Sequence, residues 1–181
     1  MRPKGKTKST ALSPASQQAK KEAQKQKRKT KEAIHIHMYN ARRFFQAGDL
    51  ENAAMNASWA CEKLSEDNPD TEPFEFWGEV QIECDNLEGA RKCFLEAVRR
   101  KEKGDGNVEF GDDAKYSWLG QLSTGLEAVE WYKKGQDVLL KVLEKVADEQ
   151  ELEVKKRLSV TCCSIVELYL TDLWLLHSSW S

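Results

Sequence analysis

No run in this chain approaches the roughly 18 consecutive apolar residues that a membrane-spanning helix needs, and the opening MRPKGKTKST lacks the apolar core of a secretory signal. Both absences point away from a membrane protein. Cysteine is sparse: Cys61, Cys84, Cys93, Cys162 and Cys163 are odd in number and contain no C-x-x-C pair, which argues against a disulfide framework or a zinc site. A reducing, intracellular compartment is the setting such usage fits. Histidine is sparser still. His35 and His37, two residues apart, fall on different faces of a helix, and His177 lies near the end of the chain, so no metal or triad constellation forms. A non-enzymatic protein without metal or cofactor is expected.

What the chain does have is charge, unevenly placed. A net charge of −2 conceals a basic start, because residues 1–32 hold 11 Lys and Arg against Glu22 and Glu32, leaving 17 basic and 28 acidic residues for the rest. Such asymmetry implies an interaction tail on an acidic body. The first 32 residues are Lys-, Gln-, Ser- and Ala-rich, too poor in apolar surface to offset the entropy of ordering, so a largely disordered tail is expected, with partial helix over residues 17–31. The dense basic run Lys20, Lys21, Lys25, Lys27, Arg28, Lys29 and Lys31 reads either as a solvated arm or as a nuclear-import or nucleic-acid-adhesive segment. The two readings are compatible, and any nucleic-acid contact would be weak and non-specific.

Helical periodicity starts near Ala33. Ile34, His37, Met38, Ala41, Phe44 and Phe45 recur at intervals of three and four before Gly48-Asp49 breaks the pattern, and Ala53, Ala57, Ala60, Cys61 and Leu64 continue it in a second helix. The next unit predicts helices near 71–83 and 87–102. In it Phe74, Trp77, Gly78, Ala90, Phe94 and Ala97 follow the aromatic-x2-large-Gly then Ala-x3-Phe signature of a tetratricopeptide pair, although Gln81 stands where Tyr is usual. Ala90 lies 37 residues after Ala53, and Ala128 lies 38 after Ala90, followed by Tyr132 and Gly135. Both intervals exceed the usual repeat of about 34. The Gly- and Asp-rich loop KGDGNVEFGDD between the second and third units reads as an insertion on one face.

In the third unit Gly120 precedes Ala128 by only eight residues, so either the first helix is short or Gly120 belongs to a turn. Val138, Leu139, Val142, Leu143, Val146 and Leu152 predict an unusually long second helix. A last helix is expected over 154–173, the first of a fourth pair. The resulting architecture is an all-α, right-handed tetratricopeptide-like solenoid of three helix pairs plus one unpaired helix, with repeats near 33–66, 71–102, 112–147 and a partial one at 154–173. After it LWLLHSSWS offers no polar capping helix, which implies a shortened form of a longer protein. Trp59, Trp77, Trp118 and Trp131 are expected in the core, and Cys162-Cys163 as packed thiols.

One helix carries a second pattern. Glu72, Glu75, Glu79 and Glu83, at spacings of three, four and four, share a face. Between Glu62 and Glu88 ten acidic residues meet only Lys63, so the face lacks neutralising neighbours within its own segment. In the tetratricopeptide register these carboxylates line the inner groove, with Glu167 of the last helix at the equivalent place. An acidic groove attracts a basic extended segment. The sign disfavours a clamp for acidic chaperone tails, for which only Arg42 has suitable chemistry.

AKYSWLGQLSTGLEAVEWYKKGQDVL and KKRLSVTCCSIVELYLTDL resemble the fungal and wider eukaryotic family of dedicated assembly chaperones for large-ribosomal-subunit protein four. The likeness extends roughly from Ala33 to Leu173 and is most specific in Trp118–Ser123, Glu127–Gly135 and Ile165–Leu173. It implies a superhelical repeat protein that binds its basic ribosomal protein soon after synthesis, shields its Lys/Arg extensions and accompanies it from cytoplasm to nucleus for large-subunit assembly. In that reading Glu72, Glu75, Glu79, Glu83, Glu167 and Arg42 contact the client, and the Lys-rich start engages an import receptor. Family members continue past Thr171-Asp172 into another helix and an acidic C-terminal part, where this chain departs. A general tetratricopeptide scaffold with a peptide-binding groove is the alternative, and RNA contact through residues 1–31 a third reading.

Overall fold

The computed structural model describes residues 14–104 and 107–173. Among them the elements are seven α-helices and one π-helical turn: α1 Pro14–Gln46, α2 Leu50–Lys63, α3 Glu72–Glu83, α4 Leu87–Lys103, α5 Ala114–Gln121, α6 Gly125–Leu143, α7 Asp148–Leu168 and the turn Tyr169–Leu173. Each helix packs on the next as an antiparallel array builds up, giving three pairs and an unpaired α7. The expected all-α helical repeat architecture is therefore the one found.

The pairs form where small residues let helix axes approach. Ala41, Ala53, Ala57 and Ala60 are fully buried between α1 and α2. Gly48, at φ 75°, ends α1, and the Asp49 carboxylate caps α2 by accepting from the Asn52 N–H at 3.1 Å. In the second and third pairs a glycine receives an aromatic ring instead. A Cβ on Gly78 would lie 2.7 Å from Phe94, and one on Gly120 would lie 2.7 Å from Tyr132. The equivalent contacts in successive repeats explain why both glycines sit inside helices despite their propensity cost. Gly120 thus belongs to α5, whose eight residues make it the short helix of the array.

Between the second and third units Ala90, Phe94, Val98, Tyr116 and Leu119 form one core cluster, with Phe94 and Trp118 stacked at 5.9 Å. Leu139, Val142 and Val154 form another between α6 and α7. Arg100 staples the turn between α2 and α3. Only 4% exposed, it donates to the Ser65 and Asn68 carbonyls at 2.9 and 2.8 Å, pairs with Glu96 at 2.8 Å and lies over the Phe74 ring. That staple fixes where α3, and its row of glutamates, begins.

Several expectations need correction. The helix α1 runs unbroken through residues 17–31, crossing the boundary that composition placed at residue 32, because Gln, Lys, Ala and Glu are good helix formers and no Gly or Pro follows Pro14 before Gly48. The predicted tail before Pro14, the irregular end at 174–181 and His177 lie outside the described residues. The helix α6 stops at Leu143 rather than extending through Leu152: Leu143 and Val146 turn back onto α7, joining Leu158 around Val154. α7 accordingly begins at Asp148, not at 154. Trp59 is 42% exposed and meets His37 edge-on at 5.3 Å instead of entering the core. Cys163 is exposed, while half-buried Cys162 accepts from Gln136 Nε2 at 3.4 Å.

Candidate binding cleft

The α3 glutamates do not stand in isolation. Pro73, near the start of α3 and buried, sets the helix against its neighbours, and the outward face then presents Glu72, Glu75 and Glu79 towards α1. These three border a cleft of about 650 Å³. Arg42, Phe45 and Gln46 of α1 supply its second wall, and the 109–112 loop supplies the third. The structure therefore joins four of the expected contact residues, Arg42, Glu72, Glu75 and Glu79.

It separates the other two. Glu83, one turn further along α3, is exposed and outside the cleft lining. Glu167 borders a different hollow of about 400 Å³ on α7, walled by Cys162, Cys163, Val166, Leu170 and Thr171. That hollow is apolar apart from Glu167 and Thr171.

Each cleft glutamate has its own electrostatic setting. Glu72 is paired with Arg42, whose guanidinium also sits 5.6 Å from the centre of the Phe76 ring. Glu75 receives the ammonium of Lys115 at 3.0 Å, and Lys115 reaches Asp112 at 3.1 Å with its own side chain fully buried. Glu79 has no ion pair among the described residues. Burial and the neighbouring Glu75 push its carboxyl above the ordinary value, with Arg42 offsetting part of the effect.

Sequence reasoning missed the cations that neutralise this face, because they come from other helices. Lys115 stands 40 residues from Glu75 and Arg42 stands 30 from Glu72, so a search within the helix could not find them. It also missed the loop as a wall. Asp112 accepts from the Glu109 N–H at 2.8 Å and from Lys101 at 2.8 Å. Burial opposes its charge, yet the Lys101, Glu109 and Lys115 contacts hold the Asp112 carboxyl below its ordinary value. Next to it, Asp113 is 1% exposed and pairs with Arg157 of α7 at 2.8 Å, while Arg157 also covers the Phe110 ring. The loop is thus tied to α3, α4 and α7 by charge. Its Asp-Asp-x-Lys sequence was the available signal.

At the other end, Lys20, Lys21, Lys25, Lys27, Arg28, Lys29 and Lys31 are exposed on α1, which at 33 residues outreaches its 14-residue partner α2. None of the seven is in an ion pair among the described residues. They form a basic helical extension remote in sequence from the acidic cleft. No group of three or more His, Cys, Asp or Glu residues suited to a metal occurs among the described residues, and no described helix is long and apolar enough to cross a membrane.

No protein-family model matches the chain. A curated protein of Schizosaccharomyces pombe, "Probable assembly chaperone of rpl4", is 33% identical over 126 residues, which cover 69% of this chain and 35% of that protein. A solved structure, "Assembly Chaperone of RpL4 (Acl4) (Residues 1-338)", superposes with a TM-score of 0.64 at 28% identity, covering 77% of this chain and 56% of the solved one. Over most of its own length the chain is similar to proteins named as assembly chaperones of RpL4. It spans about a third of the length of the curated protein and about half of the solved one. In this helical-repeat fold the Gly78–Phe94 and Gly120–Tyr132 contacts hold the helices of the second and third pairs at close distance.

Proposed function

We propose that this chain is a non-enzymatic escort for a basic ribosomal protein of the large subunit, RpL4, and that the cleft between α1, α3 and the 109–112 loop holds a Lys/Arg-rich segment of that client. The observation that carries this reading is the convergence of Glu72, Glu75 and Glu79 in one cleft bordered by phenylalanine rings, in a chain related to proteins named for RpL4 assembly. Extended basic segments adhere to any RNA they meet through the phosphate backbone. A carboxylate-lined cleft that covers such a segment suppresses that adhesion until the client reaches its place in the ribosome.

Roles divide among the residues. Glu72 and Glu79 face the client, Glu75 holds the loop in place through Lys115, Glu83 extends the acidic surface along α3, and Glu167 marks a separate contact on α7. The exposed basic half of α1, from Lys20 to Lys31, serves as the import-receptor segment, with weak and salt-sensitive RNA contact as a by-product. Movement from cytoplasm to nucleus follows from that division.

Purification of the tagged chain from cells, with mass spectrometry of what accompanies it, tests the proposal. One stoichiometric basic ribosomal protein, lost on Glu72→Lys/Glu79→Lys and at high salt, is the expected result. A mixed set of proteins insensitive to the double substitution would instead indicate a general peptide scaffold.

A further inference from the structure

The cleft already contains a cation. Arg42, from α1, lays its guanidinium over Phe76 and pairs with Glu72, and Phe45 braces Phe76 edge-on with ring centres 5.6 Å apart. Glu75 is committed to Lys115. Of the α3 carboxylates in the cleft, Glu79 is the one left without a cation among the described residues; Glu109 of the loop likewise has no ion pair, and its neighbour Phe110, in the loop wall, is 44% exposed. An aromatic face beside two carboxylates is a particular chemical environment. It suits a planar guanidinium, which stacks on a ring while its N–H groups point sideways to carboxylate oxygens; a lysine ammonium is more strongly hydrated and has no plane to stack.

We infer that the cleft is a guanidinium site selective for arginine over lysine in a bound segment, and that Arg42 is its resident competitor, displaced when an arginine side chain of the partner takes the Phe76 face between Glu72 and Glu79. The inference rests on the proposed capture of a basic segment and names which side chain of that segment is read. Arg42 supplies evidence independent of the acidic row, because it shows a guanidinium held there by ring and carboxylate together. Its side chain is 47% exposed and that of Glu72 60% exposed, so the resident pair is solvent-screened and weak enough to exchange.

The full chain titrated with two fluorescent peptides of one sequence, one carrying arginine and one carrying lysine at every basic position, provides the test. The arginine peptide should bind roughly three- to tenfold more tightly, the range expected for a cation–aromatic contact in a partly desolvated site. Phe76→Leu should bring the ratio close to one while leaving the salt dependence intact. Phe110→Leu, on the exposed loop, should reduce the ratio without the risk of disturbing the Phe45 contact. Arg42→Ala should tighten the arginine peptide more than the lysine peptide. Equal affinities in the unaltered chain, or a ratio unchanged by both phenylalanine substitutions, would overturn the guanidinium site and leave basic-segment capture standing. Failure of both peptides to bind would overturn both readings.

Discussion

Lys115 is the residue on which the cleft's geometry most depends. Its side chain is fully buried, and its ammonium lies 3.0 Å from Glu75 and 3.1 Å from Asp112. Replacing it with Met keeps most of the stem's packing volume and removes the charge, so two carboxylates lose their common partner. Truncating one member of a fully buried ion pair typically costs 3–5 kcal/mol. Here Glu75 and Asp112 retain 22% and 12% exposure, and Asp112 keeps Lys101 at 2.8 Å, which lowers the expectation to about 2–4 kcal/mol. For a chain of this length that is a fall in Tm on the order of 5–10 °C. The acid limb adds a sign. Because the Asp112 carboxyl is held below its ordinary value, it stabilises the native chain above the ordinary carboxyl range and loses that contribution as pH falls through its lower folded value. Thermal unfolding followed by circular dichroism between about pH 3 and 7 should therefore show a steeper acid-side loss of Tm for the unaltered chain than for Lys115→Met. In the Lys115→Met/Glu75→Gln double variant, the second change should cost less than it does alone, with a coupling of about 0.5–3 kcal/mol. A Tm within 2 °C of the unaltered chain, or strictly additive effects, would refute the view that this buried lysine holds the loop against α3.

Other perturbations probe separate layers of the same molecule. Gly78→Ala places a Cβ 2.7 Å from the Phe94 ring and should destabilise the second repeat by about 1–3 kcal/mol, measured as a lower denaturation midpoint at unchanged slope. Asp49→Ala removes the carboxylate that caps α2 and should cost about 1 kcal/mol, read from the same denaturation curve, with Asp49→Asn recovering most of it. Glu79→Gln should weaken binding of a basic peptide and flatten its salt dependence without lowering Tm, because the charged carboxylate there is disfavoured by burial and by Glu75; a lower Tm with intact binding would place Glu79 in the scaffold instead.

The array itself was legible in the sequence because its signals are local. Ala53, Ala90 and Ala128, picked out by recurrence, are all fully buried, and Gly78 and Phe94, both positions of the repeat signature, meet in the fold. Helices expected near 71–83 and 87–102 occur at Glu72–Glu83 and Leu87–Lys103. Reading failed where no local signal exists. The break between α6 and α7 contains neither glycine nor proline, so the apolar stripe from Val138 to Leu152 reads as one helix; only packing of Val154 against Leu139 and Val142 shows that it folds back. Trp59 has helix-core spacing, but Ala53, Ala57 and Ala60 take the buried positions of α2 while Trp59 stays 42% exposed against His37.

Charge shows the same division. The spacing of Glu72, Glu75, Glu79 and Glu83 by itself determined that they share one helix face, since a helix's period is a property of its backbone. Which of them meet a cation, and which remain available, depended on residues 30 to 40 positions away, Arg42 and Lys115, whose approach is decided by how repeats stack. Tertiary structure alone divided one row of like carboxylates into a paired Glu72, a Glu75 anchored on a buried lysine, a half-buried Glu79 without an ion pair among the described residues and an exposed Glu83 outside the cleft. Periodicity is written along a chain, whereas electrostatic environment is written between its folded segments.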